Sequence, residues 1–179
     1  AQHVRASFTE SDVLVLDGGP CRGGIESTVL SLAGPTPRVL RAGLISPEEI
    51  EIVLGQAVEV VTDQRPSASS PLQSPGQLPV HYAPRTRAML FDAAALDRVL
   101  ADASGPVAVL STTLNSVPQP HTLIRMPADA ASYAARLYAA LHEADSRQPT
   151  LIAIEQPPKA GAVWQAIADR LARATAHPG

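Results

Sequence analysis

The sequence predicts an α/β protein made of two unequal parts, and three observations support this prediction. From residue 87 onward, short apolar segments typical of strands alternate with amphipathic segments that have helical spacing. A stretch rich in proline and serine separates this regular part from an N-terminal part in which strands predominate. Hydrophobic residues make up 45% of the 179 residues but aromatic residues only 3%, so Ala, Val, Leu and Ile must build the cores.

The N-terminal part contains three predicted strands, at residues 13–16, 27–32 and 38–41. The second and third of them are joined by the turn-rich segment 33–37, Ala-Gly-Pro-Thr-Pro. Such a segment between two apolar runs predicts a β-hairpin.

One helix is predicted in this part, at residues 46–54, because both of its ends are signalled by the sequence. Ser46 is a good N-cap, Pro47 suits the first helical position, and Glu49 completes a capping box. Gly55 is the residue type that most often ends a helix. A single short helix cannot cover the predicted sheet.

Residues 63–86 are predicted to form a proline-rich ordered linker. Its prolines are interleaved with serines and stand at positions 66, 71, 75, 79 and 84. Proline at this density forbids a helix and favours extended polyproline-type backbone, so we expect a semi-rigid strap. The linker separates residues 1–62, which we expect to be the C-terminal part of a larger α/β domain beginning upstream of Ala1, from a second domain at 87–179.

The second domain is predicted to be a small Rossmann-like unit. Its predicted strands lie at 88–91, 107–110, 122–125 and 151–154, and its predicted helices at 93–103, 128–145 and 161–173. Continuous apolar strands that alternate with helices indicate a parallel sheet covered on both faces.

Composition excludes several classes of protein. A net charge of −3 argues against a chain whose main affinity is for the nucleic-acid backbone. The single cysteine, Cys21, excludes an internal disulfide and a multi-thiolate metal site, and the five histidines lack metal-ligand spacing, so we expect no protein-built metal site. The sequence has no apolar run of membrane-spanning length and no signal peptide, which predicts a soluble cytoplasmic protein without a membrane partner.

The first predicted strand is followed by a glycine-rich segment. Its sequence is Asp17-Gly-Gly-Pro-Cys-Arg-Gly-Gly24. Its glycines would let backbone amides approach an anion. Gly24-Ile25 stands where a phosphate-binding P-loop has Lys-Ser/Thr, and a strand rather than a helix follows, so the P-loop interpretation fails. A glycine-rich turn without a ligand is the alternative.

Three further places in the sequence, the last of them a pair of adjacent residues, hold candidate ligand contacts. Ser27 begins a strand directly after the glycine-rich segment, although a serine there is also ordinary structural filler. Arg41 ends a strand and suits a phosphate or carboxylate clamp, or is a solvated strand-end arginine. In the linker, His81 and Tyr82 either contact a ligand or dock the strap on a domain surface.

Together these segments form an ordered set that resembles the threonylcarbamoyl-AMP synthase family. The set consists of Asp17-Gly-Gly-Pro-Cys, Gly24-Ile-Glu-Ser-Thr-Val29, Arg41-Ala-Gly43, Ser74-Pro-Gly and His81-Tyr-Ala-Pro84. More narrowly, the sequence resembles the long form of the family, in which an ordered linker joins a YrdC-like catalytic domain with a twisted sheet to a Rossmann-like C-terminal domain. The resemblance covers essentially the whole chain.

This resemblance implies a nucleotidyltransferase that makes threonylcarbamoyl-AMP from L-threonine, bicarbonate and ATP and releases pyrophosphate. The product serves threonylcarbamoyladenosine modification of tRNA, and tRNA-modification proteins are the implied partners. By position, Ser27 matches a threonine contact, Arg41 an ATP-binding arginine, and Tyr82 a linker residue that reaches back to the nucleotide. Mg²⁺ would accompany ATP, held mainly by the phosphates. The resemblance assigns no catalytic residue here.

The family's basic cluster that binds the triphosphate, and most of its threonine pocket, lie upstream of this sequence. We therefore expect the chain alone to be inactive unless that part of the YrdC-like domain is supplied. Two other functions compete with the enzyme: a non-catalytic regulatory or ligand-binding module, and an RNA-binding protein that uses the YrdC-like surface. The negative net charge and the few aromatic residues weaken the RNA-binding alternative.

Overall fold

The computed structural model of the chain describes residues 5, 8, 13–19, 23–25, 27–61, 83–158 and 160–176. The strands are β1 (Val29–Ser31), β2 (Arg38–Arg41), β3 (Glu59–Val60), β4 (Ala88–Phe91), β5 (Val107–Ser111), β6 (Thr122–Arg125) and β7 (Leu151–Glu155). The helices are α1 (Pro47–Leu54), α2 (Leu96–Asp102), α3 (Ala130–Ser146) and α4 (Ala162–Thr175), with a short 3₁₀ turn at Ala93–Ala95. The mixed α/β fold predicted from the sequence is confirmed.

The first sheet is small and has the strand order β1-β2-β3. β1 and β2 are antiparallel, which confirms the predicted hairpin, while β3 runs parallel to β2 and was not predicted. The strand predicted at 27–32 is shorter than expected. The strand predicted at 13–16 is wrong: Leu14 and Leu16 are more than four-fifths exposed, and no described strand pairs with them.

Helix α1 forms as its capping residues predict. The Ser46 hydroxyl accepts a hydrogen bond from the backbone N–H of Glu49 at 3.2 Å, and the Glu49 carboxylate accepts one from the Ser46 N–H at 2.8 Å. Gly55 follows the helix in the left-handed conformation, with φ of +66°. α1 buries none of its side chains against the rest of the described structure.

The second sheet is parallel throughout and has the strand order β4-β7-β5-β6. Successive residues of β5 serve opposite faces: Val107 and Val109 pack in a cluster with Val99 of α2, whereas Ala108 and Leu110 pack in a larger cluster with α3 and α4. The predicted parallel sheet with helices on both faces is therefore confirmed.

The predicted boundaries in this unit are close to those observed. The strands at 88–91 and 122–125 match, β5 and β7 each extend one residue further, and the helix predicted at 93–103 is divided into the 3₁₀ turn and α2. No helix in the described part of the chain is long and apolar enough to cross a membrane.

Most of the predicted linker, residues 63–82, lies outside the described residues. Immediately after it, the Asp145 carboxylate at the end of α3 accepts hydrogen bonds from the backbone N–H groups of Arg85 and Thr86, at 3.1 and 2.8 Å, and from the Thr86 hydroxyl at 2.7 Å. Partial burial raises the pKa of Asp145, but these hydrogen bonds outweigh it and the net pKa is lowered. Asp145 thus fixes the point where the chain enters the second sheet.

Candidate functional site

The β1–β2 hairpin brings two of the three predicted ligand contacts together. Val29 of β1 pairs with Arg41 of β2, and the Arg41 Nε donates a hydrogen bond to the backbone carbonyl of Ser27 at 3.3 Å. The Ser27 side chain is exposed and Arg41 is half-buried. The register of the hairpin therefore brings the Arg41 guanidinium to the backbone of Ser27, a residue fourteen positions away in the sequence.

The turn after Arg41 packs closely on the start of β1. A Cβ at Gly43 would overlap the backbone N of Thr28 and lie 2.6 Å from the carbonyl carbon of Ser27, so no larger residue fits this approach. The Thr28 hydroxyl donates a hydrogen bond to the carbonyl of Ile45 at 2.9 Å. Thr28 thus has a structural role, while its neighbour Ser27 presents its side chain at the surface.

The glycine-rich segment ends against helix α3. Gly24 has a φ of +72°, and a Cβ there would overlap the carbonyl oxygen of Ala134 and lie 3.0 Å from the Cα of Ala135. The next residue, Ile25, is only 3% exposed and belongs to the core cluster of the second sheet. Gly24 is therefore explained by close packing on a helix as well as by its conformation.

Helix α4 reaches the same region from its own side. The Arg170 side chain is only 7% exposed, and its NH2 group donates a hydrogen bond to the carbonyl of Ala42 at 2.8 Å. Ala42 and Leu44 also pack against the core cluster that α3 and α4 share. The segments on both sides of the Ser27–Arg41 contact are thus attached to the second unit.

The third candidate, Tyr82, lies outside the described residues together with His81 and Cys21. Its proposed approach to the nucleotide stays a prediction.

The first residues of the glycine-rich segment form a local turn. The Asp17 carboxylate accepts a hydrogen bond from the N–H of Gly19 at 3.0 Å, which closes this turn.

A buried carboxylate at the end of the parallel sheet was not predicted. Glu155 of β7 is 8% exposed and accepts hydrogen bonds from the hydroxyls of Ser111 and Thr113, both at 2.6 Å, and from the N–H of Thr112 at 2.8 Å. Burial raises the pKa of Glu155, but these donors outweigh it and hold the pKa below its usual range. Three consecutive hydroxyl residues after an apolar strand were the available signal. The carboxylate orders the loop after β5.

The described residues offer no site for a protein-bound metal ion. No group of three or more His, Cys, Asp or Glu side chains occurs among them in an arrangement that could hold one.

Comparisons with known proteins agree with these features. The model of the family described as "Threonylcarbamoyl-AMP synthase, C-terminal domain" matches residues 45–176. The chain is 40% identical over 84 residues to the threonylcarbamoyl-AMP synthase of Bacillus subtilis (strain 168), a match that covers 47% of this chain and 24% of the relative. It is 33% identical over 92 residues to that of Pyrococcus abyssi (strain GE5 / Orsay), covering 51% of this chain and 27% of the relative.

Nearly the whole length of this chain is similar in fold to part of a solved structure. The crystal structure of P. abyssi Sua5 complexed with L-threonine superposes with a TM-score of 0.78 at 23% identity, covering 98% of this chain and 53% of that chain. A variant of P. abyssi Sua5 in which a consecutive histidine and tyrosine are replaced by alanine superposes equally well, with a TM-score of 0.78. The chain spans about half the length of these structures, and its matches cover about a quarter of the curated relatives.

Proposed function

Because residues 45–176 place this chain in the threonylcarbamoyl-AMP synthase C-terminal domain family, we propose that it is part of a nucleotidyltransferase that makes threonylcarbamoyl-AMP. In this reaction L-threonine, bicarbonate and ATP give threonylcarbamoyl-AMP, pyrophosphate and water. The product would supply the threonylcarbamoyl group for modification of tRNA, with tRNA-modification proteins as partners, in the cytoplasm. The observation that carries the proposal is this family match. The hydrogen bond from Arg41 to the Ser27 backbone carbonyl adds that the two candidate ligand contacts lie together at the edge of the hairpin.

Arg41 is proposed to bind ATP. Attack on the α-phosphate and departure of pyrophosphate concentrate negative charge on the phosphate oxygens, and a fixed guanidinium stabilises such charge with paired N–H donors. The bond from Nε to the Ser27 carbonyl holds the plane of the guanidinium in one orientation. Mg²⁺ is proposed to enter with ATP, held mainly by its phosphates.

Ser27 is proposed to contact L-threonine. Ser27 is exposed, lies just before β1, and its backbone carbonyl contacts the proposed nucleotide-binding arginine, so amino acid and nucleotide would meet at one edge of the hairpin. P. abyssi Sua5 was solved in complex with L-threonine, and its fold matches this chain. Tyr82 is proposed to close the site from the linker, as a movable strap over a nucleotide would do.

Residues 1–62 are proposed to be the C-terminal part of a YrdC-like domain, followed by the linker 63–86 and a Rossmann-like domain at 87–179. Large apolar side chains on the first part support this division, because they are exposed where a folded domain would cover them: Leu14 at 86%, Leu16 at 84%, Ile52 at 82% and Val53 at 84%. The match covers only 53% of the P. abyssi structure, and we propose that the corresponding remainder of the full-length protein covers these side chains.

The proposal is tested by the steady-state kinetics of the full-length gene product that contains this sequence. We expect Arg41→Gln to raise KM for ATP about tenfold or more, since it removes a charge-assisted hydrogen bond to phosphate. Ser27→Ala should instead raise KM for L-threonine about two- to tenfold, the cost of one neutral hydrogen bond.

Arg38→Gln is the matched control, because it removes the same charge from the same strand. Arg38 makes a surface ion pair with Glu59 at 3.3 Å and stands at the opposite end of β2. Its substitution should leave both KM values unchanged. Equal effects of the Arg38 and Arg41 substitutions on KM for ATP would contradict the proposal. So would a full-length protein that shows no catalysis and whose affinity for ATP is unchanged by Tyr82→Ala.

A further inference from the structure

We propose that Arg170 is a positioning residue for the candidate site, holding the Arg41–Gly43 turn in place from helix α4 of the second unit. The kinetic part of this inference rests on the proposed function, whereas its structural part does not. It gives the second unit a defined contribution to the site, namely to fix the backbone from which the Arg41 guanidinium projects.

The Arg170 guanidinium is itself held firmly. Its NH1 group donates a hydrogen bond to the Asp169 carboxylate at 2.6 Å, and Asp169 also accepts one from the Arg173 NH2 group at 2.9 Å. Only 7% of the Arg170 side chain is exposed, compared with 37% of that of Asp169. A buried guanidinium with a fixed counter-ion can orient its remaining donors with little loss of conformational entropy.

The acceptor of Arg170 lies at the centre of the candidate site's backbone. Ala42 stands between Arg41, whose Nε binds the Ser27 carbonyl, and Gly43, which packs on the backbone of Thr28. The 2.8 Å bond from Arg170 to the Ala42 carbonyl fixes the peptide plane that joins Ala42 to Gly43. A rotation of that plane would shift both contacts at once.

The second unit also holds the other side of the site. Gly24 packs against the backbone of α3, and Ile25 is buried in the core that α3 and α4 share. On the Ala42 side, apolar packing is combined with a charge-assisted hydrogen bond from Arg170. Removing the Arg170 guanidinium should therefore loosen the Arg41–Gly43 turn without removing its apolar contacts.

The structural test is hydrogen–deuterium exchange of the backbone amides in residues 41–45. Arg170→Gln should speed this exchange about tenfold, since the turn loses one charge-assisted hydrogen bond that opposes local opening. Arg170→Lys keeps the positive charge but not the fork that binds Asp169 and Ala42 together, so it should give a smaller increase. Exchange in β5, within the core, should stay unchanged in both variants.

Arg147→Gln is the matched control. It removes the same charge from the second unit, but Arg147 lies at the end of α3 and pairs with Glu143 at 2.7 Å. It should leave exchange at 41–45 at the wild-type rate. Wild-type exchange in the Arg170→Gln protein, or an equal increase in the Arg147→Gln protein, overturns the inference.

The kinetic test uses the full-length gene product. Arg170→Gln should raise KM for ATP about three- to tenfold with a smaller change in kcat, and Arg170→Lys should restore part of the loss. A general loss of folded protein would lower the apparent kcat through the active fraction and leave KM unchanged, and that result overturns the inference. If the wild-type protein releases no pyrophosphate, the proposed function fails, and the exchange experiment alone decides the role of Arg170.

Discussion

The region at residues 23–61 and the unit at 83–176 use similar apolar residues but bury them very differently. In the second unit all five residues of β5 are buried, and Val107 to Leu110 have no exposed surface. In the first region α1 buries no side chain, and Ile52 and Val53 are 82% and 84% exposed. The strands of the second unit are thus buried in its cores, whereas α1 of the first region has no side chain that the other described residues bury.

This difference places the candidate site at the contact between the two regions. Ile25, Ala42 and Leu44 belong to the first region but pack against the core of α3 and α4. Ser27 and Arg41 lie on the backbone between those anchor points. The second unit thus supports the backbone on both sides of the candidate site.

The largest expected effect is the contrast between two isoleucine substitutions. Ile154 of β7 has no exposed surface, so Ile154→Ala should lower the free energy of unfolding by about 2–5 kcal/mol. The matched Ile52→Ala change on α1 should alter it by less than about 0.5 kcal/mol. Urea unfolding followed by the fluorescence of Trp164, which packs edge-on against Tyr133 at 5.3 Å, measures both. Similar losses in the two variants would show that α1 is covered in the folded chain.

A second contrast concerns two glycines with positive φ. Gly24→Ala adds a steric overlap with Ala134 to the strain of a φ of +72°, so it should cost more than about 2 kcal/mol. Gly55→Ala meets no atom within 4 Å and carries the strain alone, about 1 kcal/mol. Chemical denaturation of the two variants measures the difference. An equal cost would mean that the glycine-rich segment does not pack on α3.

How much of the fold could be predicted from the sequence depends on how far apart in the sequence the interacting residues stand. The capped helix α1 and the apolar strands β4 and β6 were predicted because their signals are local. β3, with only two residues and no buried side chain, offered no such signal. Residues 13–16 have the composition of a strand, but a strand also needs a partner, which composition cannot reveal.

The candidate site, like β3, depends on contacts between residues that are distant in the sequence. Ser27 and Arg41 were singled out separately, and the predicted hairpin made their meeting plausible, although only the register joins them. The bond from Arg170 to Ala42 spans 128 residues, and no local pattern indicates it. Glu155 likewise acquires its donors through the order of strands in the sheet.

A third prediction concerns the buried Glu155 carboxylate at the end of the parallel sheet. Glu155→Gln places an amide N–H₂ among hydroxyl and backbone N–H donors, which should cost about 1–3 kcal/mol of unfolding free energy. Because the folded pKa of Glu155 lies below its ordinary value of 4.5, its contribution is complete above that pH and is lost as the pH falls through the folded pKa.

Wild-type protein should therefore lose more stability on acidification from pH 7 than the Glu155→Gln protein does. Urea titrations at a series of pH values measure both curves. If the stability of both proteins fell equally with pH, Glu155 would not contribute a hydrogen-bonded carboxylate to the folded state.

The smallest expected effect is at the cap of α1. Ser46→Ala removes the hydroxyl that accepts from the Glu49 N–H, and should cost about 1 kcal/mol. Since α1 has no buried side chains, the loss should appear as faster amide exchange confined to that helix. Ser132→Ala keeps the backbone N–H that donates to the Asp129 cap of α3, and as a control it should not change exchange in α1. Faster exchange that spreads through β5 would show that α1 is coupled to the second core.

The central claim is that this chain belongs to an enzyme that joins L-threonine, bicarbonate and ATP at the edge of the hairpin. The most direct measurement is pyrophosphate release by the full-length gene product, with each of the three substrates omitted in turn. We expect release to require all three substrates and the isolated chain to release none. Release that continues without L-threonine, or robust turnover by the isolated chain, would contradict it.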